Sequence, residues 1–169
     1  MRFYRVKQFM WSITSNFKTI NEEYLDQYLD ENEKQLFLKL NKSDIQHCIR
    51  VCSDCIKHIE ENKLNIDKKK VAKAALLHDI GKIKSDLNII TKSIVVLADK
   101  ATSSKIKKYN NIKIIDEYYN HPKKGEKLLK SVLKERDKDI LQTVRKHHKD
   151  EDESDNDILK IVRYYDNKN

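Results

Sequence analysis

Apolar residues recur along this chain three and four positions apart, the spacing that lines one face of a helix. Near the amino terminus Phe3, Val6, Met10, Ile13 and Phe17 form one such stripe. Asn21, followed by Glu22 and Glu23, reads as a helix cap with acids in the first turn. Tyr24, Leu25, Tyr28, Leu29, Leu36, Phe37 and Leu40 carry the apolar face onward. Ser43 with Gln46 reads as a capping box that opens a helix running to about Glu61. Its core stripe is Ile45, Cys48, Ile49, Cys52, Cys55, Ile56 and Ile59. The next helix is expected to start at Asp67, to bury Val71, Ala74, Ala75 and Leu77, and to end near Gly81, a residue type that commonly terminates helices. That assignment puts His78 and Asp79 in its last turn. The β-branched segment 89–97 would suit a strand by composition, but it has no evident pairing partner and is read as helix.

Pro122 suits a first helical turn, so a helix carrying Leu128, Leu129, Val132 and Leu133 is expected after it. Asp137 can cap the following helix, whose stripe of Ile140, Leu141 and Val144 leads directly to His147 and His148. The polar, acidic stretch from Lys149 to Asp157 reads as a loop. The last helix carries Ile158, Leu159, Ile161, Val162 and Tyr165, with Asp166 four residues beyond Val162 on the same face. The pattern as a whole predicts an all-α fold.

Two Gly and one Pro in 169 residues leave little punctuation for hairpins, which supports that fold class. The length suits one domain with a sizeable core, residues 1–169, in which a helical region 1–42 packs on a core 43–169. No apolar run approaches a membrane span, and the opening MRFYRVKQFMW lacks the core of a signal peptide, so a cytoplasmic protein without membrane association is expected. Three cysteines, an odd number without a secretion signal, argue against a disulfide framework. The formal charge of +8, with lysines clustered at 68–70, 105–108 and 123–124, favours phosphorylated small molecules or nucleic acid as partners. No aromatic residues interleave with the lysines as they would on a stacking platform. The runs are therefore read as solvated helix faces, and nucleic acid is not the expected partner.

The chain has six histidines: His47, His58, His78, His121, His147 and His148. His78 and His148 follow apolar stripes, and Asp79 and Asp166 end helices in the same manner. Polar groups aimed into a core cost several kcal/mol unless paired or bound to metal. Any one of them could be a satisfied core histidine or a capping aspartate; a shared metal site would satisfy them together.

Their order, His47, then His78-Asp79, then His121-Pro122, then His147-His148, then Asp166, resembles the HD-domain superfamily of metal-dependent phosphohydrolases, in its HDIG subgroup. His47-Cys48-Ile49-Arg50-Val51 is similar to the family's His-x-x-Arg-Val. Leu77-His78-Asp79-Ile80-Gly81-Lys82 is similar to its signature, His121-Pro122 with Gly125 to its third element, and Val162 to Asp166 to its closing segment. The amino-terminal Glu33, Leu36, Phe37, Leu40 and Asp44 are also similar to short bacterial HDIG proteins, so the resemblance spans nearly the whole chain.

The resemblance implies a site for two divalent cations. One would be held by His47, His78, Asp79 and Asp166, and the second by Asp79, His121 and His147, with His148 as a further ligand or a substrate contact. Imidazole and carboxylate donors suit Fe or Mn first, with Zn, Ni or Co as alternatives. Asp79 would bridge the pair, and the activated water would make a Ser or Cys nucleophile unnecessary. Lys82 is assigned to the phosphate or to the nucleophile network. Arg50 either binds phosphate or anchors its helix end.

The expected activity is hydrolysis of a phosphomonoester or phosphodiester, with nucleotides as the substrate class. Nucleoside monophosphates, dinucleoside polyphosphates, alarmones and cyclic dinucleotides all remain open; a Gly-Tyr-Pro element that marks one cyclic-dinucleotide branch is missing. The alternative reading is a non-catalytic nucleotide-binding or regulatory module. Cys48, Cys52 and Cys55 lack the paired spacing of a structural zinc site and are read as buried small apolar residues. His58 is expected to be exposed, and Tyr118, Tyr119, Tyr164 and Tyr165 to pack in the core.

Overall fold

Five of the seven described helices begin where a side chain can take an orphan backbone amide. The computed structural model describes residues 19–83, 95, 98–99, 101–103, 105–109, 111–133 and 137–169. The helices are α1 (Glu22–Asp26), α2 (Glu31–Phe37), α3 (Lys42–Glu61), α4 (Lys68–Leu77), α5 (Lys113–Leu129), α6 (Lys138–Lys146) and α7 (Asp157–Asp166). Two 3-10 turns, Ile80–Lys82 and Lys105–Tyr109, complete the described elements, and no strand occurs among the described residues. The all-α expectation is met. The Phe3–Phe17 stripe lies outside the described residues, as does segment 89–97 apart from Val95, which is helical.

Asn21 caps α1, Asp67 caps α4 and Asn156 caps α7, each accepting a hydrogen bond from the amide three residues on. Asp30 and Glu33 form a reciprocal capping box on α2. The cap of α3 corrects the sequence reading. Asn41, in extended backbone, accepts from the Asp44 amide at 2.9 Å, so Ser43 already lies inside the helix. Asp137 holds the N-cap position of α6, but its carboxylate makes no capping bond.

α3 packs along α4; α5 lies against the Ile80–Lys82 turn and against α6; α7 closes on α3, α4 and α6. Between them sits one core that includes Phe37, Ile45, Val51, Leu76, Ile80, Leu129, Ile140 and Val162. The amino-terminal helices are tied to it by polar as well as apolar contacts. The buried Glu33 carboxylate accepts from Lys73 Nζ at 2.6 Å, and the Tyr24 hydroxyl donates to Cys52 Sγ at 3.3 Å. No described helix is long and apolar enough to cross a membrane.

Pro122 does not start a helix. It sits inside α5, which begins more than two turns earlier and ends at Leu129. A proline in that place lacks the amide that would bond the Tyr118 carbonyl. The His121 ring takes the carbonyl instead, with Nδ1 2.9 Å away. Gly81 is likewise no left-handed terminator, since no glycine has positive φ. Its role is steric. A Cβ on Gly81 would stand 1.9 Å from the His121 carbonyl oxygen and 2.6 Å from the Gly125 amide nitrogen. The chain's two glycines thus meet at one backbone contact that seats α5 on the turn after α4.

Candidate metal centre

The same contact brings the first pair of candidate ligands to the third. His78 is the C-cap of α4 and Asp79 follows it; His121 lies one turn before Gly125 on α5. His147 is the C-cap of α6, with His148 next to it, and Asp166 is the last residue of α7. His47 points in from α3. All seven converge, although the helix ahead of His78 ends at Leu77, one turn sooner than Gly81 suggested.

Asp79 stands at the centre with one oxygen for each half of the cluster. Its Oδ2 lies 3.4 Å from His78 Nε2 and 3.7 Å from His47 Nε2. Its Oδ1 lies 3.3 Å from His121 Nε2 and 3.6 Å from His147 Nε2. Asp166 completes the first half, with Oδ1 3.0 Å from His47 Nε2 and 3.5 Å from His78 Nε2. His148 Nδ1 lies 3.6 Å from the other Asp166 oxygen, on a half-exposed side chain at the rim.

The backbone fixes the ring tautomers. A carbonyl only accepts, so the Nδ1 atoms of His78, His121 and His147 must donate to the Ala75, Tyr118 and Val144 carbonyls, 2.8–2.9 Å away. Each Nε2 is thereby left to face the cluster. Those three nitrogens and Asp79 Oδ1 are buried and make no hydrogen bond. Most of their separations are too long for hydrogen bonds. They suit donors around a shared cation, because bonds of about 2.0–2.2 Å place neighbouring ligand atoms about 3–3.5 Å apart. Two groups therefore have the composition and reach to hold a metal: His47, His78 and Asp166; and Asp79, His121, His147 and His148. The donor set fits divalent cations of imidazole–carboxylate preference.

Both carboxylates of the cluster are held in the ionised form that a cation needs. Burial disfavours the Asp79 carboxylate, but the Lys82 ammonium and the His78 ring outweigh it and hold the group well below the usual carboxylate range. Asp166 is lowered the same way, with His78 the chief opponent of burial. Burial pushes the His121 ring down to about 4, leaving it neutral. Lys82 is itself buried, and its Nζ donates to Asp79 Oδ2. Burial works against its charge, and Asp79 with Asp44 keeps it protonated.

Arg50 lies half-buried on α3, one turn after His47. All three cysteines are buried, as a packing role requires. Cys48 also borders the cluster, its thiol within 4.8 Å of donor atoms on His78 and Asp79. His58 is half-buried rather than exposed, bonded to Asn62 and set 5.6 Å from the Tyr165 ring. Tyr164 departs from the core expectation and is 52% exposed, while Tyr118, Tyr119 and Tyr165 are half-buried. The sequence reading missed the buried pair Asp155–Arg163 altogether, because an Asp in an acidic stretch gives no sign of burial.

A family model described as the HD domain matches residues 44–168, which contain every candidate ligand. No curated protein and no solved structure matches the chain.

Proposed function

The chain belongs to the HD-domain family, and from that membership we propose that it is a metal-dependent phosphohydrolase of the HDIG type, cleaving a phosphomonoester or phosphodiester of a nucleotide. One observation carries this reading: the two oxygens of a single buried carboxylate, Asp79, face separate sets of imidazole nitrogens. On this proposal His47, His78, Asp79 and Asp166 hold one divalent cation. Asp79, His121 and His147 hold a second, with His148 beside them. Bound there, the pair supplies an acidified shared water and Lewis-acid contacts to phosphate oxygens.

The chain's own residues prepare the rest. Backbone carbonyls already hold the Nδ1 atoms of His78, His121 and His147, which turns each Nε2 toward the cluster. His78, held protonated against burial by Asp79 and Asp166, would give up its Nε2 proton on binding a cation. Lys82 keeps a positive charge at Asp79 Oδ2, available to a phosphate oxygen on this reading. His148, at the rim, is placed to meet the substrate rather than the core. Arg50 is the remaining candidate phosphate contact, through its forked guanidinium.

Purified protein loaded with Mn2+ or Fe2+ should release product from a nucleotide class in a screen, free phosphate from a monoester or a cleaved nucleotide from a diester, and chelator should stop it. Asp79→Ala should reduce release to background. Nucleotide binding with no turnover under any of Fe, Mn, Zn, Ni or Co would assign the chain to a regulatory module instead.

A further inference from the structure

Arg163 carries a buried positive charge that the proposed chemistry does not use. It lies on α7 one turn before Asp166 and is 5% exposed. Its Nη1 donates to Asp155 Oδ2 at 2.8 Å, and its Nη2 donates to the backbone carbonyl of Lys146 at 3.3 Å. Lys146 ends α6 and immediately precedes His147 and His148. The Asp155 side chain is fully buried. It also accepts from the Asp152 amide at 3.0 Å and faces Lys146 Nζ at 3.4 Å.

These contacts join three parts of the chain at one point: the end of α6, the loop that follows it, and the α7 turn that leads to Asp166. The carbonyls of the final α6 turn have no helical partners of their own. Val144 O is taken by the His147 ring, and Lys146 O is shared between the Lys149 amide and Arg163. A planar fork holds a carboxylate and a carbonyl at once in a fixed geometry, which an ammonium on a flexible stem does not impose. Burying an ion pair is not in itself a favourable way to stabilise a fold. Here its second bond falls on the residue before the paired histidines.

We propose that Arg163, locked by Asp155, is a positioning residue: it holds the last turn of α6 against α7 and so sets where His147 and His148 stand relative to Asp79 and Asp166. The role rests on the two-cation reading above. It differs from a stabilising pair in what it affects, because it acts on the half of the centre built from α6. His47 and His78 hang from α3 and α4, outside its reach, and its guanidinium bonds go to Asp155 and Lys146 rather than to Asp166 on its own helix.

The test is a Mn2+ titration of the full chain, with free Mn2+ followed by electron paramagnetic resonance and folding checked by far-ultraviolet circular dichroism. Wild-type protein should take up two equivalents. Arg163→Met should bind the first with near wild-type affinity and the second 10- to 100-fold more weakly, the usual penalty for losing a support behind a ligand, on the order of that for other such residues. Arg163→Lys, which keeps the charge pair without the fork, should fall between, and it carries the test if Arg163→Met does not fold. A second equivalent bound at wild-type affinity in the folded variants would overturn the assignment, as would an equal loss at both equivalents. A wild-type protein that binds no Mn2+ would overturn the centre itself and the positioning role with it.

Discussion

Asp79 and the three imidazoles with backbone-held Nδ1 protons are what make this cluster more than a set of buried polar groups. A histidine with Nδ1 on a carbonyl has that proton and its ring orientation set by its own helix turn, and Nε2 is thereby turned to the cluster. His121 shows the cost of that arrangement. Burial pushes its ring down to about 4, whereas an unfolded histidine titrates near 6.5. As pH falls from about 6.5 towards about 4, the unfolded chain takes up a proton that the folded chain refuses, so this residue removes stability on acidification, by up to about 3 kcal/mol. In metal-free protein, His121→Asn should therefore lose less stability than wild type between pH 6.5 and 4.5, as read from denaturant midpoints. Parallel losses would show that His121 is not buried as a neutral ring. These histidines were legible in the sequence because each follows an apolar stripe or a motif residue. The tautomers were not, since they depend on which carbonyl a helix end leaves open.

Helix ends do most of the construction. His78 and His147 are both C-caps, and Asp166 closes the last helix, so the cluster forms where five helices stop or pass. Gly81 and Gly125 set the spacing between two of them. Gly81→Ala would drive a Cβ into the α5 backbone at His121 and Gly125, where no side chain can yield. The expected loss is about 3 kcal/mol of stability, measured by chemical denaturation, because overpacking against backbone leaves only backbone movement as relief. A loss below about 1 kcal/mol would mean that the turn and α5 are not in contact. The sequence reading assigned Gly81 to helix termination and Pro122 to helix initiation, their commonest uses. Their actual use, close approach for Gly81 and a place inside a helix for Pro122, is decided by how the turn after α4 and α5 meet. The capping box at Ser43 failed for a related reason. Asn41 offers the same chemistry two residues earlier, and pattern alone does not decide between neighbouring caps.

The chain carries a net charge of +8, and the described helices enclose a site built from carboxylates and imidazoles; a positive balance of this kind suits the phosphate-bearing substrate proposed above. Helical periodicity and the ordered His and Asp residues made the architecture and the ligand candidates legible from sequence. Long-range pairs did not share that legibility: Glu33 with Lys73 and Asp155 with Arg163 are distant in sequence or hidden within polar stretches. The account as a whole depends on Asp79 facing two sites at once. A crystal of Mn2+-loaded protein, with anomalous scattering recorded at the manganese edge, measures this directly. Two peaks should appear on opposite sides of Asp79, one among His47, His78 and Asp166 and the other beside His121 and His147. A single peak, or none within reach of the Asp79 carboxylate, would contradict it.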